Sequence, residues 1–195
     1  MGRGIAPEKW GRAAWTMLHG FAYVAARAPG AAPAVRSVLE AMRLLLPCLK
    51  CRRGYAEVRK RLGPPGDDLV GWVHAAHNRV NAELGRPEVA AADGLGAVVA
   101  AAPPGALRGL LLRAAAETAR HVRACVDERL AAAAHRAEHA PIREAWRAFA
   151  RASSAILAAL VGEKMRSEGK QAGWRRCRGA DGGWTRRCTR SPRRR

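Results

Sequence analysis

Aromatic side chains make up only 5% of this 195-residue chain, although hydrophobic residues reach 49%. Much of the apolar content is alanine, so a core has to be built by close helical packing rather than by bulky rings. Long apolar runs are missing too, because charged residues interrupt every candidate before the roughly eighteen residues that a membrane helix needs. A soluble protein with no membrane contact is therefore expected. No stretch alternates as a half-buried strand would, whereas apolar positions recur at helical spacing almost throughout. The expected fold class is all-α. Acidic residues are scarce, 16 against 35 Lys and Arg, which gives a net charge of +19. Such a charge suggests a polyanion partner, but the excess of arginine over lysine, with so much alanine, is also what GC-rich coding yields. Its distribution is uneven: from Lys164 to Arg195 twelve Lys or Arg stand against two acidic residues. This Arg-rich tail reads as solvated, with weak nucleic-acid contact as its alternative use. A motif that starts at Trp10 leaves no room for a signal or transit peptide, and Ala6 is not the Ser or Thr of a myristoylation signal. A cytoplasmic location is expected.

Helical spacing predicts a first helix over residues 7–27, with Leu18, Ala22 and Ala25 on one stripe and Trp15, His19 and Tyr23 on a neighbouring one. Pro29 and Gly30 end it. A second helix is expected over 33–46, and Pro47 is expected to start the third, where its missing N–H does no harm. Gly63, Pro64, Pro65 and Gly66 break the chain, and a fourth helix follows over 67–84 with Asp67 as N-cap and Gly85 and Pro87 as stops. Four helices with short links predict an antiparallel bundle over residues 1–87. Residues 88–105, rich in Ala, Gly and Pro, read as a linker, and 106–168 as a C-terminal extension forming a helical hairpin split at Pro141. From Gly169 periodicity vanishes, so 169–195 reads as a basic disordered tail carrying a Cys pair.

Cys48 and Cys51 form a C-x-x-C without the βαβ context of a thioredoxin. At a helix start the dipole favours thiolate, and Lys50, Arg52 and Arg53 add positive charge, so reversible redox chemistry is physically supported. Zinc is the rival, since His74 and His77 could complete four ligands, but two residues between the histidines is short of the usual spacing. His74, His77, Asn78 and Asn81 form one polar stripe on the fourth helix. Buried asparagines need partners, which a flat heteroaromatic cofactor with a phosphate-bearing tail would supply.

Taken in order, Gly11, Arg12, Trp15, Leu18 and His19, then Pro47, Cys48 and Cys51, then Trp72, His77, Asn78, Val80 and Asn81 match G-R-x-x-W-x-x-L-H, P-C-x-x-C and W-x-x-x-x-H-N-x-V-N. This ordered triplet, over residues 10–87, resembles the Erv/ALR family of FAD-linked sulfhydryl oxidases. With no targeting segment ahead of a motif that starts at residue 10, the chain looks more like the compact members of large DNA viruses than the organellar ones. The resemblance implies an Erv/ALR-type four-helix bundle binding FAD. Arg12, Trp15 and His19 would line the cofactor from the first helix, with Tyr23 plausible by spacing. His77, Asn78 and Asn81, with His74 beside them, would line it from the fourth, and Arg86 would meet a phosphate. Cys51 would lie against the flavin and Cys48 would be the outer sulfur. The implied activity is thiol oxidation (EC 1.8.3.2 type): reduced protein dithiols, such as a thioredoxin-like carrier, are oxidised, O2 is the acceptor and hydrogen peroxide is released. A homodimer is implied too, and, for a viral member, a place in host cytoplasm or virion.

The chain departs from that pattern in places. No cysteine follows Pro87 to form the family's structural disulfide, so the hairpin beyond residue 105 is expected to supply stability instead. Ala75 and His74 stand where the family often has histidine and cysteine. Cys125 lies on an apolar helical stripe and reads as a buried thiol. Cys177 and Cys188 flank a Gly-rich loop, and are read either as a shuttle pair feeding Cys48 and Cys51 or as incidental thiols. The alternative function is a non-enzymatic, nucleic-acid-binding or zinc-stabilised helical protein using the Arg-rich tail.

Overall fold

The computed structural model describes residues 5–132, 139–171, 177–178 and 184–185. Two compact units divide the chain, residues 1–160 and 161–195. Among the described residues the regular elements of the first are all helices: α1 (Gly11–Arg27), α2 (Ala32–Leu45), α3 (Leu49–Leu62), α4 (Leu69–Glu83), α5 (Leu95–Ala101), α6 (Pro104–Ala132) and the start of α7 (His139–Gln171). The all-α expectation holds. In the second unit the described residues are the end of α7 and a two-residue antiparallel pairing of Cys177–Arg178 with Trp184–Thr185. Cys188 lies outside the described residues, as does most of the expected basic tail.

Helix α1 sits at the centre of the first unit, with α2, α4, α5 and α6 all packed on it. Its buried positions, among them Ala14, Met17, Leu18, Phe21, Ala22, Val24 and Ala25, therefore run around the helix rather than along one stripe. Small residues make this possible. At Gly20 an added Cβ would stand 2.0 Å from Leu111 Cδ2 of α6, so any larger residue there would have to displace the Leu111 side chain. The extension contributes to the core: Leu107, Leu111, Val122 and Val126 of α6 and Ile142, Phe149 and Ile156 of α7 all join it.

Proline and glycine set the boundaries of the bundle. Leu46 precedes Pro47 and is driven out of the helical region to φ −51°, ψ 129°, which ends α2. Pro47 was expected to open α3, but Cys48 is the N-cap and Leu49 the first helical residue. The cysteine side chain accepts from a free N–H of the first turn, and this fixes the start one residue past the proline's reach. Similarly, the cap of α4 is Asp68, whose carboxylate accepts from Gly71 N at 2.8 Å, rather than Asp67, which pairs with Arg36 at 2.7 Å. Gly63 and Gly85, both at positive φ, terminate α3 and α4. Tyr55 ties α3 to α2 by donating its hydroxyl to Leu39 O at 2.8 Å, and burial pushes its phenol pKa up.

Residues 88–105, read from composition as a linker, contain α5, which packs on α1 and buries Val99. Pro141 lies within the first turn of α7, where proline is tolerated, and α7 runs on to Gln171.

Candidate functional site

Two structures meet the chemistry read from the sequence, a disulfide at one helix start and a cluster of rings between α1 and α4. Cys48 and Cys51 are joined by a disulfide with their Cα atoms 5.1 Å apart. Cys48, extended at φ −124°, ψ 136°, is 9% exposed, whereas Cys51, in the first turn of α3, is half-buried. Cys51 N donates to Cys48 Sγ at 3.1 Å. Both sulfurs thus sit at the positive end of α3, where negative charge on sulfur is favoured.

The loop ahead of the disulfide is held through its carbonyls by donors from separate elements. Arg52 Nη1 donates to Leu46 O at 2.6 Å, and Ile5 N to Pro47 O at 3.2 Å. Cys125 of α6, 3% exposed and so a buried thiol as expected, also donates to Pro47 O, at 3.4 Å, and Arg129 of α6 donates to Leu44 O.

Helical spacing brings the rings together. Trp15 and His19 are four apart on α1, while His74 and His77 are one turn apart on α4. Trp15 stacks on His77 with centroids 4.1 Å apart and planes 8° from parallel. His19, 3% exposed, shares a hydrogen bond between its Nε2 and His77 Nδ1 at 3.1 Å, and His74 stands edge-on to it at 6.5 Å. Burial, then the facing His77 and His74, lowers the pKa of His19 to about 4. Burial, then His74 and the Arg86 charge, lowers that of His77 to about 4 as well. Both rings are therefore neutral at physiological pH, each able to accept at one nitrogen and donate at the other.

Asn78 finds its partners in the chain itself. Its amide donates to Val89 O at 2.9 Å and accepts from Val89 N at 3.1 Å, a two-bond clamp, and lies 3.2 Å from His74 Nε2. This clamp leads the chain from α4 back across the rings toward α5. There a Cβ on Gly96 would come within 3.2 Å of His19 Nδ1, and one on Gly94 within 3.4 Å of His74 Cε1. Tyr23 reaches the same segment, donating its hydroxyl to Ala100 O at 3.3 Å and accepting from Arg27. Val89, Gly94 and Gly96 were missed in the sequence, where the two-apart glycines were the only sign of a close approach.

Other expected site residues stand apart from this network. Arg12 is exposed, and Asn81, although 9% exposed, makes no side-chain hydrogen bond among the described residues. Arg86 is exposed and acts on His77 by charge alone. Nor do Cys48, Cys51, His74 and His77 converge as zinc ligands: among the described residues no group of three or more His, Cys, Asp or Glu could hold a metal ion. A cavity of about 810 Å³ on α7, lined by His139, Arg143, Glu144, Arg147 and Arg151, shares no residue with disulfide or rings. Among the described residues no helix is long and apolar enough to cross a membrane.

Comparison with curated proteins and with solved structures gives no match. Residues 12–96, less than half of the chain but including the disulfide, the rings and the Asn78 clamp, match the model of the Erv1 / Alr family, which supports assigning this segment to that family.

Proposed function

We propose that this protein is an FAD-dependent thiol oxidase that makes disulfides in protein substrates. The observation that carries the reading is the Cys48–Cys51 disulfide at the N-terminus of α3, within the segment that matches the Erv1 / Alr family. The donor set fits a flavin nucleotide: an indole, three imidazoles of which two are held neutral, and the positive charge of Arg86 for a phosphate. Trp15, His19, His74, His77 and Asn81 would hold it, Asn78 would frame it through its bonds to Val89, and Arg12, Tyr23 and Arg86 would stand at its margins. When bound, FAD supplies a two-electron path from thiols to O2, which leaves as hydrogen peroxide.

The chain's own chemistry is thiol exchange. A substrate thiolate attacks Cys48 Sγ, Cys51 leaves as a thiolate, and a second substrate thiolate then releases Cys48, so that two substrate thiols become one disulfide and the pair becomes a dithiol. The helix terminus and the Cys51 N–H stabilise the thiolates that this requires. Cys48 is the less exposed residue of the pair, and a trapping experiment assigns the receiving sulfur. After incubation with the disulfide form of a dithiol protein, the Cys48 thiolate of Cys51→Ser should attack it, release one substrate thiolate and retain a mixed disulfide at Cys48, the reverse of the exchange step. A mixed disulfide held instead by Cys48→Ser would reverse the assignment.

Reduced dithiol proteins are the proposed substrates, with Cys177 and Cys188 as a relay to them and a homodimer as the working form. The deciding experiment is the absorption spectrum of the purified full chain together with oxygen uptake on dithiothreitol. Flavin absorbance with peroxide release is expected. A colourless protein that leaves dithiothreitol reduced even after addition of FAD would overturn the proposal.

A further inference from the structure

We propose that helix α6, which lies outside the segment matched by the family, is a clamp on the redox loop, with Cys125 and Arg129 as positioning residues for the Cys48–Cys51 pair. This rests on Cys48 and Cys51 being the exchanging pair. Four carbonyl bonds fix the loop and the last turn of α2 that leads into it, and two of them come from α6: Cys125 Sγ to Pro47 O at 3.4 Å and Arg129 Nη1 to Leu44 O. Pro47 O belongs to the peptide that leads into Cys48, so whatever holds this carbonyl sets where the extended Cys48 sits against the first turn of α3. Cys125 donates to it from one side and Ile5 N from another. Arg129 anchors the last turn of α2, the other end of the same loop.

The consequence is thermodynamic. In the disulfide the Cα atoms stand 5.1 Å apart, within the range that a disulfide spans. Reduction requires the two sulfurs to separate to non-bonded distance, and a loop anchored at Leu44, Leu46 and Pro47 resists that separation. The clamp therefore favours the disulfide over the dithiol. A buried thiol within an apolar helix face would otherwise be explained by packing alone, but packing gives no reason for the S–H to meet this carbonyl, nor for Arg129 to reach the same loop one turn later.

The test is the equilibrium of the full chain with glutathione, in which two glutathione thiols reduce one Cys48–Cys51 disulfide and leave as one oxidised glutathione. After thiols are trapped with a maleimide, trypsin cuts at Arg43 and Lys50, and the fraction of the peptide spanning residues 44–50 that is labelled reports Cys48 alone. Cys125→Ala and Arg129→Ala should each shift the equilibrium toward dithiol about threefold, the order that one modest hydrogen bond supplies. Cys125→Ser, which keeps a donor, should shift it less than Cys125→Ala. Leu111→Ala is the control: it opens the α1–α6 packing at Gly20, fourteen residues and about 21 Å along α6 from Cys125, and should leave the equilibrium unmoved even though the melting temperature falls. Equal equilibria for wild type, Cys125→Ala and Arg129→Ala would overturn the clamp and leave the redox pair intact. A shift with Leu111→Ala as large as with Cys125→Ala would also overturn it. A wild-type disulfide that does not titrate reversibly at all would overturn both the clamp and the exchange chemistry beneath it.

Discussion

The disulfide loop and the ring cluster are held in opposite ways. Around Cys48 the fixed atoms are backbone carbonyls, gripped by donors from three elements, the N-terminal segment, α3 and, twice, α6. Between α1 and α4 the fixed atoms are side chains, and their partners are largely one another: Trp15 on His77, His77 to His19, His74 to Asn78. Carbonyls tied to several elements keep their geometry through a reaction that makes and breaks only a sulfur bond. Neutral rings that satisfy one another can exchange those contacts for contacts with a flat ligand without leaving a buried charge behind. One region is built to stay and the other to yield.

Substitutions that separate the two regions have the largest expected effect. Cys51→Ser should reduce dithiothreitol oxidation to the uncatalysed rate while flavin absorbance is retained, whereas His77→Ala should release flavin on gel filtration while the Cys48–Cys51 disulfide still titrates. Loss of both properties in both variants would mean that the regions are one unit. Acid should next act on the rings alone. Because His19 and His77 are held near pKa 4 in the fold and titrate near 6.5 when unfolded, the unfolded chain binds more protons below pH 6.5. Stability from the cluster is therefore fully present above that pH, falls as pH drops from 6.5 to about 4, and then levels, a loss of about 2 kcal/mol after allowance for partial exposure. Denaturant midpoints across that range measure it, and His19→Gln should flatten the slope.

Smaller effects sharpen the contrast within each region. Asn78→Ala removes both bonds to Val89, and should cost about 1–2 kcal/mol and raise amide exchange at Val89, with no change at Cys51. Arg52→Ala removes the bond to Leu46 O, and should cost about 1 kcal/mol in chemical denaturation while flavin retention stays at the wild-type level.

Much of the bundle and half of the site could be read from spacing. The i, i+4 relation of Trp15 and His19 and the one-turn relation of His74 and His77 put the rings on facing helices, and the proline and glycine stops gave the C-terminal ends of the first four helices to within a residue or two. The first helix, by contrast, was expected from residue 7 and starts at Gly11, after a separate 3-10 turn over Pro7–Lys9. Two end assignments slipped for a local reason: a cap is chosen by which side chain reaches a free N–H, and Cys48 and Asp68 reach one where Pro47 and Asp67 do not. Helix α5 was hidden because seven residues without a polar face show no amphipathic period and Gly and Val offset the helix preference of Ala, so it is packing on α1 that makes a helix of them. The partner of Asn78 was illegible for another reason. A backbone amide eleven residues away leaves no trace in composition, and a half-buried asparagine invites a ligand where the chain supplies Val89 instead.

The contact of Gly20 with Leu111 joins positions 91 residues apart, and that separation bears on how the molecule is made. A ribosome adding about 5–20 residues per second finishes α1 to α4 seconds before α6 exists. During that interval the nascent bundle shows the face around Gly20 uncovered, and the closing step waits on a long loop. Folding of this chain should consequently be slow in its last phase, and its window for misassembly should close only when α6 emerges and docks.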